Sequence, residues 1–316
     1  MQEAYELSAQ TNNFPEICGR ICPQDRLCEG NCVIEKGFES VTIGAVEKHI
    51  TETAFENGWV KPPTPREDRP ESIGIIGAGP AGLAAADMLR RRGYQVEIYD
   101  RYDRVGGLLI YGIPGFKLEK DIVERREKLL RDGGVTFHLN VDIGGDTSFA
   151  ELREKHDAVL IATGVYKARD LNIDGAERDG VIPALDFLTA SNRLGMGDDL
   201  SSDETDRYFA EGRRVVVIGG GDTAMDCVRT AIRQKAASVS CLYRRDRANM
   251  PGSAREVMNA EEEGVNFEWL TMPEGFEGGD AVEAVRCSKI HLGQPDATGR
   301  RVPEPIPGSS YFKEAD

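Results

Sequence analysis

Apolar residues recur at three- and four-residue steps through Ile43, Val46, Ile50, Ala54 and Phe55, a spacing that predicts an amphipathic helix early in the chain. Four prolines then fall within residues 61–70, which neither a helix nor a central strand accepts, so a linker and a domain boundary are expected there. A short apolar run at 73–76 follows, then a glycine-rich turn, a helical pattern over 83–92 and a second strand-like run over 95–99 that ends on Asp100. A further apolar run at 158–161 leads into Ala162, Thr163 and Gly164. The same order recurs later: a strand at 215–218, a glycine-rich turn, a helix to about Gln234, and a strand at 238–243 running into Arg244 and Arg245. The polar, acidic stretch 197–206 between the two patterns reads as a solvated interdomain loop rather than a docking site.

The two glycine turns begin at Gly77 and Gly219, 142 residues apart, and each follows a strand and opens a helix. A βαβ unit therefore occurs twice. The expected fold class is α/β, with two Rossmann-like nucleotide-binding domains behind a partial helical segment, divided as 1–66, 67–190 and 191–316. Length agrees, since 316 residues at about 150 per domain make about two domains. A net charge of −15 argues against nucleic acid and anionic lipid as partners. The chain contains no apolar run near the roughly 18 residues that cross a bilayer, and it starts Met-Gln-Glu-Ala-Tyr-Glu, without the basic start of a signal peptide. A soluble, cytoplasmic protein is expected.

In the first unit the turn reads Gly77-Ala78-Gly79-Pro80-Ala81-Gly82, with Asp100 following 23 residues after Gly77. The first glycine allows a tight turn, the second lets backbone approach a pyrophosphate, and the third lets helix and strand pack closely. The helix N-terminus then faces the anion, and Asp100 accepts hydrogen bonds from a ribose. Gly106, Gly107 and Leu108 supply a second glycine pair suited to pass beside the same pyrophosphate. Together with Ala162, Thr163 and Gly164 they favour FAD over NAD in this domain.

The second turn reads Gly219-Gly220-Gly221-Asp222-Thr223-Ala224, with alanine at the third glycine position, and its second strand ends on Arg244 and Arg245 instead of a carboxylate. A ribose 2′-hydroxyl calls for an acceptor, whereas a 2′-phosphate calls for guanidinium groups, so NADPH is preferred over NADH. Four of the seven cysteines, Cys18, Cys22, Cys28 and Cys32, fall within fifteen positions. Clustered thiols of this kind favour metal over disulfides. Their spacing is not the paired knuckle of a structural zinc site and suits an iron–sulfur cluster, with zinc or reduced structural cysteine as alternatives. The four histidines are dispersed and read as structural or surface residues, and Cys227 reads as packed.

The stretches Thr11-Asn-Asn-Phe-Pro-Glu, 19–32, 106–118 and 219–229, with the segment 243–252, resemble the small (beta) subunit of NADPH-dependent glutamate synthase over nearly the whole chain. The resemblance implies that NADPH on the second unit reduces FAD on the first. Electrons then reach a large (alpha) subunit through [4Fe-4S] clusters, for glutamate synthesis from glutamine and 2-oxoglutarate. It also implies that Cys22, Cys28 and Cys32 are cluster ligands and that Glu47 stands where a carboxylate can be a fourth; Cys18 is not required. Set against the family, the chain is expected to lack a preceding Cys-rich segment and a closing part of the FAD domain, so a piece truncated at both ends is anticipated. Alternative readings are the electron-input module of another iron–sulfur flavoenzyme, dihydropyrimidine dehydrogenase-like or ferredoxin:NADP oxidoreductase-like, or a non-catalytic nucleotide-binding fragment.

Overall fold

Two parallel sheets, each begun by an apolar strand that runs into a glycine turn, organise the protein. The computed structural model describes all residues except 36, 168–170, 298 and 300, and it separates into two units, Met1–Tyr166 and Lys167–Asp316.

The first unit opens with helices α1 (Gln2–Ser8), α2 (Pro15–Ile21) and α3 (Ile43–Glu56). β1 (Ser72–Ile76), α4 (Pro80–Arg91) and β2 (Gln95–Asp100) make the first βαβ unit. The unit continues with α5 (Leu108–Tyr111), α6 (Lys120–Asp132), β3 (Thr136–Leu139), α7 (Phe149–Lys155) and β4 (Ala158–Ile161). The sheet order is β3-β2-β1-β4, all parallel, so the C-terminal end of β1 lies between those of β2 and β4. Its packed face is built on the fully buried Ile75, Leu83 and Ile98. The predicted helix at 83–92 begins three residues earlier because Pro80 takes the first helical position, where its missing N–H is not needed.

The break between units falls after Tyr166, and the proline-rich stretch packs within the first unit. Asp68 pairs with Arg90 at 2.7 Å, Arg69 N–H donates to the Gly93 carbonyl at 2.8 Å, and the Pro63 ring lies 2.5 Å from where Gly133 would carry a Cβ. The prolines deny this stretch regular structure without letting it leave the nucleotide fold. Residues 167–190, expected with the first nucleotide domain, lie in the second unit, where α8 (Ala184–Gly195) packs on α10 (Asp222–Arg233).

The second unit continues from α8 with α9 (Ser202–Tyr208), then β5 (Arg214–Ile218), α10, β6 (Ser238–Tyr243), α11 (Ala254–Glu262) and β7 (Asn266–Trp269). Its parallel sheet runs β5-β6-β7 over a core that includes Met225, Val228 and Cys241. β8 (Thr271–Glu277), β9 (Ala284–Pro295), β10 (Arg301–Pro305) and β11 (Tyr311–Glu314) form an antiparallel sheet around β9.

Two elements depart from expectation. The acidic stretch 197–206 is loop only in its first half, since Ser201 and Glu204 form a reciprocal capping box that starts α9. The antiparallel sheet was not anticipated, although in β9 Val285, Cys287 and Ile290 are buried while Lys289 and His291 point out. Among the described residues, no helix is long and apolar enough to cross a membrane.

Candidate functional site

At the end of β1 the chain turns at Gly77, whose φ of +109° is left-handed backbone, and its N–H donates to the Tyr99 carbonyl at 2.8 Å. A Cβ on Gly77 would collide with the Ala162 carbonyl, and one on Gly82 with the Gly77 carbonyl. A Cβ on Gly79 would meet nothing within 4 Å. Gly79 caps α4 from extended backbone, and Pro80 and Ala81 begin the helix, so the free amides of the first turn border open space.

Asp100 is 9% exposed and pinned beside this turn: Oδ2 accepts the Ala78 N–H at 2.6 Å and Oδ1 the Tyr102 N–H at 2.9 Å. Each carboxylate oxygen retains a second acceptor position. The Gly106 N–H donates to the Ala78 carbonyl at 2.9 Å, and a Cβ on Gly107 would lie 2.9 Å from Gly79 Cα, so the second glycine pair touches the first turn just before Leu108 starts α5. From the other side the Ala162 N–H donates to the Ile76 carbonyl at 2.8 Å, Thr163 Cα lies beside Gly77, and Gly164 turns away at φ +68°. Three stretches, 77–82, 100–107 and 162–164, thus meet at the C-terminal end of β1.

Sequence reasoning passed over the aromatic group beside them. The Arg101 guanidinium lies 4.9 Å from the ring centres of both Tyr102 and Tyr166, and the Tyr166 hydroxyl is 3.2 Å from the position of a Gly107 Cβ. Burial, reinforced by Tyr102 and Asp100, pushes the Tyr166 phenol up to about 12. Spacing carries no signal for this group, because the residues meet only once β4 lies beside β1.

The second turn is built differently. Gly219 has φ +147°, and the Ala224 methyl lies 3.5 Å from the position of its Cβ, so this turn leaves room for the alanine that replaces a third glycine. Gly220 faces the Tyr243 ring, which a Cβ would strike, while Gly221 faces open space. Asp222 Oδ1 accepts the Ser253 N–H at 2.8 Å, and the Gly220 carbonyl accepts the Gly252 N–H at 2.8 Å. The stretch that follows the two arginines is therefore tied down on the turn at two points. Thr223 is exposed on the first turn of α10. Arg244 is exposed, Arg245 Nε donates to the Arg301 carbonyl at 3.5 Å, and Arg247 pairs with both Glu261 oxygens at 2.8 Å.

In the N-terminal segment a Cβ on Gly19 would be 2.9 Å from the Gly44 carbonyl, a close approach of α2 to α3 that brings Glu47 to the thiols. Cys18 lies on α2, Cys22 caps it, and Cys28 and Cys32 follow in turns, all partly exposed. Glu47 Oε1 accepts from Asn12 at 2.8 Å, and the Cys18 thiol is 3.8 Å from Asn12 Oδ1. Burial, with Cys18, Glu47 and Cys28 nearby, pushes the Cys22 thiol up to about 11. Thiolate is the ligating form of cysteine, and thiols with a nearby carboxylate are donor types that an iron–sulfur cluster accepts. Among the described residues no three donors stand close enough to hold a single metal ion.

Residues 71–295 match the pyridine nucleotide-disulphide oxidoreductase family, and residues 1–59 match dihydropyrimidine dehydrogenase domain II, 4Fe-4S cluster. The chain is 62% identical, over its whole length, to the glutamate synthase [NADPH] small chain of Azospirillum brasilense, of which it spans 66%. It is 66% identical over 98% of its length to a putative glutamate synthase [NADPH] small chain of Cereibacter sphaeroides, spanning 74% of that protein, and 48% identical to the Escherichia coli small chain, spanning 67% of it. Among solved structures, Mycobacterium tuberculosis FprA in complex with NADPH shares the fold, with a TM-score of 0.66, 21% identity, and coverage of 78% of this chain and 69% of that one. These matches fit FAD and NADPH in the two nucleotide folds and a [4Fe-4S] cluster in the N-terminal segment, the equipment of an NADPH-dependent oxidoreductase. The chain belongs to the glutamate synthase [NADPH] small chain family.

Proposed function

We propose that this chain carries the electron-input function of a glutamate synthase. In this reading Gly77, Gly79, Pro80, Ala81, Gly82, Asp100, Gly106, Gly107, Leu108, Ala162, Thr163 and Gly164 hold FAD. Gly219 to Ala224 with Arg244 and Arg245 hold NADPH, and Cys22, Cys28, Cys32 and Glu47 hold the cluster. The observation that carries the reading is the contrast between the two βαβ units: one places a buried carboxylate beside its glycine turn, the other ends its second strand in guanidinium groups. Bound flavin supplies the exchange between a hydride's two electrons and the single electrons of an iron–sulfur cluster.

The protein's own part is placement. The amides at the start of α4 and α10 take the pyrophosphates, Asp100 orients a ribose, and Arg244 and Arg245 select a 2′-phosphate. The hydrogen bond from the Ser253 N–H to Asp222 ties the stretch after the arginines to the second glycine turn. Donors crowded around Cys22 give the cluster its ligands. The partner proposed for the released electrons is the large subunit, where glutamine and 2-oxoglutarate become glutamate.

An anaerobic visible spectrum before and after NADPH tests the first half. Flavin bands that bleach on NADPH support it, and a chain that takes up no FAD opposes it. Glutamate formation on adding a purified large subunit tests the second half, and NADPH oxidation by an artificial acceptor without glutamate would point to a different electron acceptor.

A further inference from the structure

Three charged side chains that belong to neither nucleotide turn are buried together in the first unit. Glu16 on α2 and Asp87 on α4 are 0% exposed, and Arg126 on α6 is 4% exposed. Arg126 Nε donates to Glu16 Oε1 at 2.6 Å, its Nη1 lies 3.9 Å from Asp87 Oδ1, and its guanidinium sits 4.8 Å from the centre of the Phe14 ring. Arg91 donates to both Asp87 oxygens, at 2.9 and 3.1 Å, and Asn13 reaches Asp87 at 3.4 Å and the Ala84 carbonyl at 3.0 Å. Glu16 Oε2 is buried with no hydrogen-bond partner, so compensation of this carboxylate rests on Arg126. A second set lies at the rim: Arg20 of α2 joins Glu52 of α3 at 2.9 Å and Glu119 at 3.0 Å, and Arg125 of α6 donates to both oxygens of Glu52.

Buried ion pairs are poor stabilisers compared with apolar packing, yet breaking one leaves an uncompensated charge, so such a set accepts one seating of its elements and penalises others. We infer that Glu16, Arg126 and Asp87 form an interlock that seats α2 in a single register on α4 and α6, and that Arg126 is thereby a positioning residue for the thiols. Glu16 and Cys18 lie on the same short helix and Cys22 caps it, so a helix held at Glu16 holds both thiols. At the other end of the interlock, α4 is the helix that starts at the first glycine turn. The positioning role rests on the function proposed above, because electron passage between flavin and cluster falls off steeply with their separation.

The test has two arms. In the full chain, Arg126→Met removes the charge at similar volume. Amide hydrogen exchange in α2 and α3 is then expected to rise about a hundredfold, while β5 and α10 of the second unit keep their protection. Arg131→Met, which removes an exposed pair with Glu127, serves as control and leaves α2 unchanged. Unchanged exchange in α2 with Arg126→Met overturns the interlock. Should that variant fail to fold, Glu16→Gln, which keeps the shape and neutralises one charge, carries the same comparison. In the second arm the chain is reconstituted anaerobically with FAD, iron and sulfide. NADPH should bleach the flavin band at the unaltered rate, while the paramagnetic signal of the reduced cluster develops several-fold more slowly in Arg126→Met and at an intermediate rate in Arg126→Lys. A cluster signal as fast as in the unaltered chain overturns the positioning role. An unaltered chain that takes up no flavin contradicts the proposed function, and the exchange arm still decides the interlock.

Discussion

A methyl group added at Gly79 meets open space, whereas one added at Gly77 or Gly82 runs into backbone carbonyls a few residues away or across the sheet. The three glycines of one turn are therefore required for different reasons, and substitution separates them. Gly82→Ala should lower stability by about 1–3 kcal/mol through overpacking. Gly79→Ala should leave the melting temperature unchanged and weaken FAD, because its methyl projects only into the groove. Thermal melts paired with FAD titrations check this, and a Gly79→Ala protein that melts early would show that the groove is not open. The two arginines after β6 also separate. Arg244 is exposed, while Arg245 is turned toward the Arg301 carbonyl. Arg244→Ala should weaken NADPH by about 1.5–3 kcal/mol and leave NADH unaffected, with Arg245→Ala losing less. Equal losses for both nucleotides, measured by calorimetric titration, would remove Arg244 from the 2′-phosphate site.

Elements were legible wherever a local pattern decided them. The strand, glycine turn and helix of each βαβ unit stand out because a short apolar run, a glycine-rich turn and a helical spacing follow one another directly in sequence. The capping box of α9 was equally local, but its acidic composition reads as loop when charge is weighed before spacing. Contacts between elements carry no such signal, and the cluster that joins β2, β3 and α7 is an example. Burial alone would raise the Glu97 carboxyl, but hydrogen bonds from Lys155, Tyr99 and His138 outweigh it and hold the group at about 2. Burial pulls His156 below the usual 6.5, and its ring nitrogens lie 3.0 Å from the Tyr99 hydroxyl and 3.2 Å from the Ser72 hydroxyl. Both folded-state values are depressed, so in each case the unfolded chain binds protons first as pH falls. The His156 contribution is complete above 6.5 and is lost below it. The Glu97 contribution is complete above 4.5 and is lost between 4.5 and about 2. The melting temperature should thus decline in two stages on acidification, and His156→Gln should remove the earlier one. A single decline in wild type and variant alike would detach His156 from acid stability.

At the scale of the whole chain, the proline-rich stretch 61–70 lies between the two family matches, 1–59 and 71–295, yet stays packed within the first compact unit. Prolines exclude helix and central strand, which is true of this stretch, but a boundary also requires that few contacts cross it. Here Asp68, Arg69 and Pro63 hold the stretch to the nucleotide fold, and the buried Glu16–Arg126 pair ties α2 to α6 beyond it. Sequence pattern cannot report an ion pair between residues 110 positions apart. The consequence for folding is specific. Residues 1–166 and 167–316, expressed separately, should each melt cooperatively, because each keeps its own buried core. Residues 67–166 alone retain the whole first parallel sheet yet lose Glu16 and the N-terminal helices from beside Arg126, while Asp87 stays paired with Arg91. That fragment should melt earlier and less cooperatively than 1–166, as followed by circular dichroism. Restoring residues 1–66 in trans should not recover the melt, since seating α2 at Glu16 requires closing an ion pair that a separate chain must also pay translational entropy to form. If 67–166 melted as 1–166 does, the N-terminal segment would be an appendage on a self-sufficient nucleotide fold, and the proline-rich stretch would be the boundary that its composition suggests.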